Sequence, residues 1–164
     1  MLKYICALIA VEDVAVSRRF YEECLGQKVT DDFGVNVGFE GSFSIHQKGH
    51  FQELLGGGER SAVVTKSHTG ELYFETDEIE TVEQRLKEAG IEFIHAIHEQ
   101  PWGQRSMRLY DPDGHVLEIG EPMEAMVLRY YRLGSSLESI SQKSGMPRAF
   151  VERVVGAAGD GQPS

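Results

Sequence analysis

An internal repeat constrains the fold of this chain more than any other feature of its sequence. Residues 11–14, Val-Glu-Asp-Val, match residues 76–79, Thr-Asp-Glu-Ile, at an offset of 65 positions. The hydrophobic pattern of each half predicts a strand, a helix and three further strands. The sequence therefore predicts two βαβββ modules, over residues 1–47 and 71–120, that close around one shared interior.

Local patterns place the elements of the first module. An apolar run over 4–11 predicts a buried strand, and Asp13 can cap a helix that follows it. Val16, Phe20 and Cys24 have the i, i+4, i+8 spacing of a helix's inner face. Three short strand-like runs complete the module, at residues 28–33, 35–40 and 42–47.

The second module repeats this order after a connector over residues 48–70, which we expect to be a mobile loop. A strand is predicted over 71–76, followed by a helix with Asp77 and Glu80 in a capping box. The inner face of that helix is assigned to Val82, Leu86 and Ala89, and the strands that follow to residues 92–99, 105–110 and 115–120.

Composition places the chain in the class of ordinary globular proteins. Of 164 residues, 41% are apolar and 26% charged, which is sufficient for a hydrophobic core. No apolar run is long enough for a transmembrane helix, and the N-terminus lacks the pattern of a signal peptide. The two cysteines are expected to be reduced thiols, and the protein is expected to be cytoplasmic.

The charge differs between the main body and the C-terminal segment. The net charge is −10; residues 1–122 carry −11 from 11 basic and 22 acidic side chains, and residues 123–155 carry +2 from five and three. An acidic body repels nucleic acid and anionic membranes. We therefore expect neither as a partner.

The C-terminal segment reads as a helical appendage over residues 123–155, followed by a flexible tail over 156–164. Its three helices have the spacing of a helix-turn-helix, but the last one carries only Arg148 and Arg153, with Glu152 between them. We expect the helices to pack on the protein's own surface or on a partner subunit, burying Leu133 and other members of an apolar stripe.

Four motifs resemble the vicinal oxygen chelate superfamily, which includes glyoxalase I, bleomycin-resistance proteins and extradiol dioxygenases. They are Leu8-Ile9-Ala10-Val11-Glu12-Asp13, Arg19-Phe20-Tyr21 before Leu25-Gly26, Phe74-Glu75-Thr76-Asp77, and Asp111-Pro112-Asp113-Gly114-His115-Val116-Leu117-Glu118. The resemblance covers residues 4–120. It implies an α+β fold in which paired βαβββ modules form a half-open β-barrel cup over residues 1–122, and it implies a homodimer.

The resemblance also implies where a divalent metal would bind. The family ligand positions fall on Glu118, on Glu71, on Ser44 or His46, and on Cys6, where the family has His or Gln. Two carboxylates with an imidazole suit Zn²⁺, Mn²⁺, Fe²⁺ or Ni²⁺. Without a metal, Cys6 is expected to be a small buried residue, and some cation, water or proton must balance the carboxylates.

Other side chains are candidates for the ligand-binding wall or for structure. Trp102, between Pro101 and Gly103, offers a flat stacking surface at the mouth of the cup. The remaining wall candidates are Tyr73, Arg105 and Tyr110. His115 is assigned a structural role in the turn, and His50 a solvated one.

Three functions remain open on the sequence alone. The first is a small-molecule enzyme of the glyoxalase or dioxygenase type, with lyase, isomerase or oxygenase chemistry on an oxygen-rich ligand, Glu118 as metal ligand and His46 as ligand or general base. The second is a metal-free protein that binds or sequesters a small molecule, as bleomycin-resistance proteins do. The third is a ligand-responsive regulator that uses the helical appendage.

Overall fold

The computed structural model describes residues 1–58, 62–64 and 66–159. It contains two four-stranded sheets with strand orders β1-β4-β3-β2 and β5-β8-β7-β6. The second order is the first with four added to each number, so the repeat predicted from the sequence is confirmed. Helices accompany both sheets, and a helical segment follows the second. The fold is α+β, as predicted.

The chain divides into two compact units, and the first contains the first sheet. Its elements are β1 (Ala7–Val11), α1 (Val14–Arg19), β2 (Val29–Asp32), β3 (Asn36–Phe39), β4 (Phe43–Gln47) and α2 (Lys48–Leu54). Strand β1 pairs in parallel with β4, and β3 pairs antiparallel with both β2 and β4. This unit also includes residues 110–116.

Helix α1 begins as predicted but buries a different face. The Asp13 carboxylate accepts hydrogen bonds from the amides of Ala15 and Val16 at 2.8 and 3.1 Å, which caps the first turn. A π-helical turn over Phe20–Cys24 then shifts the periodicity of the chain. Ser17, Phe20 and Tyr21 are buried together at i, i+3 and i+4 spacing, whereas Val16, expected on the inner face, is exposed.

The connector is more regular than predicted. Helix α2 begins directly after β4, and the side chain of Gln47 accepts a hydrogen bond from the His50 amide at 2.7 Å. A glutamine at this position is not a common cap, so the start of the helix was missed in the sequence. Three left-handed glycines, Gly56 to Gly58, follow its end.

The second unit contains most of the second sheet and all of the later helices. Its elements are β5 (Glu71–Glu75), α3 (Ile79–Glu88), β6 (Phe93–Glu99), β7 (Arg105–Tyr110), β8 (Val116–Gly120), α4 (Met123–Arg132), α5 (Leu137–Ser144) and α6 (Arg148–Gly159). Ile79 and Leu86 of α3 are fully buried; Ala89, expected beside them, lies past the helix end and is exposed. No helix of the described residues has the length and apolarity needed to cross a membrane.

Helices α4 to α6 share a hydrophobic core and pack on the second unit. Met126, Val127, Ile140 and Val151 are buried together. The Tyr130 hydroxyl donates to Glu99 at 2.6 Å, so α4 is fixed to the end of β6, as expected for a segment that packs on the protein's own surface. Leu133, expected in the buried stripe, is 74% exposed because it is the C-cap residue of α4.

Candidate functional site

One face of the second sheet carries Glu118, a family ligand position, beside other polar side chains. We call it the polar face; it comprises Tyr73 on β5, Gln104 before β7, Arg108 on β7, and Glu118 on β8. Side chains alternate along a strand, so Gln104 and Arg108 share a face. A Cβ on Gly120 would lie 2.9 Å from the Tyr73 hydroxyl, which places Tyr73 on the face that Glu118 shares with Gly120.

Glu118 forms an ion pair on the polar face and also has an unsatisfied oxygen. Its Oε2 lies 2.9 Å from Nη2 of Arg108, and the residue is only 7% exposed. Its Oε1 is buried and accepts no hydrogen bond from the described residues. A buried acceptor without a donor costs about 1–3 kcal/mol, so a donor that reached this oxygen would be favoured.

A chain of hydrogen bonds connects the two aromatic wall candidates. The Trp102 indole donates to Oε1 of Gln104 at 3.0 Å, and Nε2 of Gln104 donates to the Tyr73 hydroxyl at 2.8 Å. That hydroxyl in turn donates to Glu75 at 3.0 Å. Burial, then the carboxylates of Glu75 and Glu118, raises the pKa of Tyr73 to about 12. Tyr73 is therefore a neutral phenol at physiological pH, held in one orientation.

The structure places the other two wall candidates elsewhere. Arg105 lies on the opposite side of β7, where it pairs with Glu121 at 3.0 Å and also with Glu80. The alternation of side chains along the strand explains this, because Arg105 is an odd number of positions from Arg108. The Tyr110 hydroxyl lies 2.8 Å from Nε2 of His68 in the connector.

His46 of the first unit is engaged by other side chains. It is buried, and its Nε2 lies 2.7 Å from Nδ1 of His50, with the two rings stacked almost parallel. Its Nδ1 lies 3.1 Å from the amide nitrogen of Asn36. Burial, with a smaller contribution from His50, lowers the pKa of His46. His50 was expected to be solvated; it is half-buried, and its contact with His46 follows from helix α2.

The remaining family ligand positions do not form a metal-binding group. Cys6, expected to be buried, is exposed and lies 4.0 Å from the Ser44 hydroxyl. It precedes β1, an edge strand, and the neighbouring Leu8 is also exposed, so no apolar layer covers the thiol. Glu71 is exposed at the first position of β5.

The donors present do not fit a divalent metal. In the described ranges no three His, Cys, Asp or Glu side chains are arranged to hold a metal ion. The guanidinium of Arg108 already compensates the Glu118 carboxylate and would repel a cation placed there. His46 has both ring nitrogens in contact with neighbouring side chains. We expected a cation, a water or a proton to balance the carboxylates; at Glu118 the guanidinium of Arg108 has this role.

His115 has the structural role assigned to it. Its Nε2 lies 2.8 Å from the carbonyl oxygen of Ala10. The turn before it is organised by Asp111, whose Oδ1 accepts from the amides of Asp113 and His115. The buried Tyr21 hydroxyl donates to Oδ2 of the same carboxylate at 2.9 Å. Both carboxylate oxygens of Asp111 therefore accept hydrogen bonds that stabilise the fold.

Sequence reasoning missed three residues of these clusters: Arg108, Gln104 and His50. Arg108 and Gln104 occupy even positions near and on β7, and a consistent reading of the alternation from Gln104 onward would have found both. His50 is four residues from His46, but the two rings come into contact only because a helix starts at Lys48, and the sequence did not predict that helix.

The repeated sheets define a protein built of paired βαβββ modules. The family model of the glyoxalase-like domain matches residues 4–124. The chain belongs to that family, within the vicinal oxygen chelate superfamily. Helices α5 and α6 and most of α4 lie beyond the matched range. No curated protein matches the sequence.

Solved structures resemble about three quarters of the chain. A protein of unknown function from Agrobacterium tumefaciens is 33% identical, with a TM-score of 0.65, and the match covers 74% of this chain and 95% of that one. A glyoxalase/bleomycin resistance protein/dioxygenase from Nocardioides is 22% identical, with coverages of 74% and 83% and a TM-score of 0.56. A lactoylglutathione lyase from A. tumefaciens is 18% identical, with coverages of 71% and 91% and a TM-score of 0.54. The last two similarities show the fold alone.

Proposed function

We propose that this chain binds a small molecule on the polar face without a metal ion. The observation that carries the proposal is the state of Glu118, which has one oxygen paired with Arg108 and the other buried without a donor. The ligand would provide a hydroxyl or amine hydrogen to Oε1. The half-exposed ring of Tyr73, oriented by Gln104, would provide a flat apolar surface beside that contact.

This proposal favours the sequestering function over the metal enzyme. Metal-dependent glyoxalase or dioxygenase chemistry needs several donors with open coordination positions, and the donors in the described residues do not provide them. Binding needs only a shaped polar surface and an acceptor that gains a partner. The homodimer and the cytoplasmic location remain expectations from the family resemblance and from the sequence.

The test separates metal use from ligand binding. Protein purified without chelator or affinity metal is analysed for bound metal and titrated with Zn²⁺, Mn²⁺ and Ni²⁺, and we expect no stoichiometric uptake. A thermal-shift panel then compares catechols, sugars and amino sugars with their O-methylated or N-acetylated counterparts. We expect stabilisation by members with a free hydroxyl or amine only.

A matched pair of variants locates the contact. Glu118→Gln can still accept from Arg108 but turns an amide donor toward the ligand, so it should lose the stabilisation while remaining folded. Glu92→Gln, an exposed glutamate of the same unit, is the control and should bind as wild type does. One metal ion per chain, lost in Glu118→Gln, would overturn the proposal in favour of the metal enzyme.

A further inference from the structure

A cavity lies on the side of β7 opposite the polar face, where the helical appendage meets the second sheet. It has a volume of about 570 Å³, within the range of about 300–1,000 Å³ typical of small-molecule sites. One wall is a stripe of α4 that includes Ala125, Leu128 and Arg132. Because most of α4 lies beyond the glyoxalase-like match, this cavity is not part of the polar face and does not depend on the function proposed for it.

The floor of the cavity is a charge cluster that is already neutralised. Glu121 is 2% exposed and receives the guanidinium groups of Arg105 and Arg129 at 3.0 and 2.6 Å. Arg105 uses its remaining NH group on Glu80, and Arg129 uses its own on Glu99. The floor is therefore rigid and contributes little net charge to a ligand.

Two lining side chains of opposite charge have no such partner. Neither the Asp77 carboxylate nor the Arg132 guanidinium forms an ion pair with any other described residue. The other four charged residues of the lining do form ion pairs: Arg105, Glu121, Glu124 and Arg129. Asp77 precedes α3, and Arg132 ends α4, so they belong to different walls. Both are exposed at the rim, where a ligand can reach them.

Between these charges the α4 wall is apolar. Ala125 and Leu128 are half-buried in it, and Leu133 is 74% exposed at its end. Such exposure is costly for a leucine in water, at about 25 cal/mol per Å² of apolar surface. The cavity thus combines a free anion, a free cation and an apolar wall.

We infer that this cavity binds an amphiphilic zwitterion, an apolar amino acid or short peptide. Its ammonium group would meet Asp77, its carboxylate Arg132, and its side chain the surface of Leu128 and Leu133. A simple anion fits less well, because Asp77 and Glu124 also line the cavity, and a simple cation is opposed by Arg132. A zwitterion satisfies both unpaired groups at once and leaves the neutral floor undisturbed.

The experiment uses the full chain and four probes. L-Leucine and L-leucyl-L-leucine are tested by saturation-transfer NMR and calorimetry beside N-acetyl-L-leucine, which lacks the ammonium, and L-leucinamide, which lacks the carboxylate. Two lengths are used because the charges belong to separate walls. We expect one of the zwitterions to bind, and both capped forms to bind about tenfold or more weakly, as the loss of one charge-assisted hydrogen bond predicts.

Two variants assign the ends of the ligand. Asp77→Asn should weaken the zwitterion but leave N-acetyl-L-leucine unaffected, and Arg132→Gln should do the same with L-leucinamide. Asp31→Asn and Arg148→Gln, exposed residues elsewhere, are the matched controls. No binding of either zwitterion at millimolar concentration, equal binding of a capped form, or binding that survives both variants would overturn the inference. Glu118→Gln should not change it, so failure here is distinct from failure at the polar face.

Discussion

The carboxylate of Glu121 connects the second sheet to the helical appendage, and its removal should destabilise the second unit. It follows β8 and is buried, and it accepts from the amide and guanidinium of Arg105 and from the guanidinium of Arg129. In Glu121→Gln the shape is kept, but one oxygen becomes an NH₂ group that faces the guanidinium donors.

The magnitude follows from burial. Removing one partner of a buried, hydrogen-bonded ion pair costs about 3–5 kcal/mol, because the other charge remains without compensation. Here the two arginine side chains are 29% and 24% exposed and retain Glu80 and Glu99, so the lower end, about 3 kcal/mol, applies. For a chain of this length that corresponds to a fall in Tm of about 6–12 °C.

Urea denaturation followed by fluorescence measures this loss. Trp102 is the single tryptophan of the sequence and lies in the turn that contacts α4, so it reports on the affected region. The matched control is Glu138→Gln, whose partner Arg148 is 57% exposed, as is Glu138; that pair contributes at most about 1 kcal/mol. If Glu121→Gln lowers the midpoint no more than Glu138→Gln does, the reasoning about burial is wrong.

Four further results are expected. Exposed Cys6 should react with Ellman's reagent in a fast phase that Cys6→Ser removes, and slow labelling throughout would contradict its exposure. Because the folded pKa of Tyr73 is raised to about 12, its contribution to stability is present below about pH 10 and lost as pH rises toward 12. The urea midpoint should therefore fall more between about pH 9 and pH 11.5 in wild type than in Tyr73→Phe. A chain ending at Pro122 should unfold at a lower temperature than the full chain, because Glu121 loses its ion pair with Arg129. The full-length protein should not bind random duplex DNA in about 100 mM salt. Binding that falls steeply as the salt concentration rises would instead support the regulator function.

The sequence predicted the repeated sheets well because the relevant signals are local and occur twice. Asp13 before an apolar run, and Asp111-Pro112-Asp113-Gly114 between two strands, act through hydrogen bonds to nearby amides. Such contacts depend on a few neighbouring residues. These local contacts can form independently of the rest of the chain, and both motifs are present in the structure.

The candidate site was harder to predict because its members interact across strands. Helix α1 shows a related difficulty: its buried face includes Ser17 and Phe20 and leaves Val16 exposed, because packing within the unit decides which face is covered. Arg108 pairs with Glu118 across two strands whose register is set by the whole sheet. The family resemblance selected Glu118 as a metal ligand and gave no indication of its partner Arg108.

The position of Glu121 also limits which other domains of this family could accept the three helices as a graft. A recipient would need more than a permissive C-terminus: it would need an acid after its last strand, an arginine equivalent to Arg105, and Gly103. A Cβ at Gly103 would lie 2.5 Å from Met126, and its φ of 91° is strained for any other residue. The helices and the turn that they contact depend on each other structurally. A graft that moves only residues 123–159 should therefore fail to fold, while one that also transfers Gly103, Arg105 and Glu121 should fold.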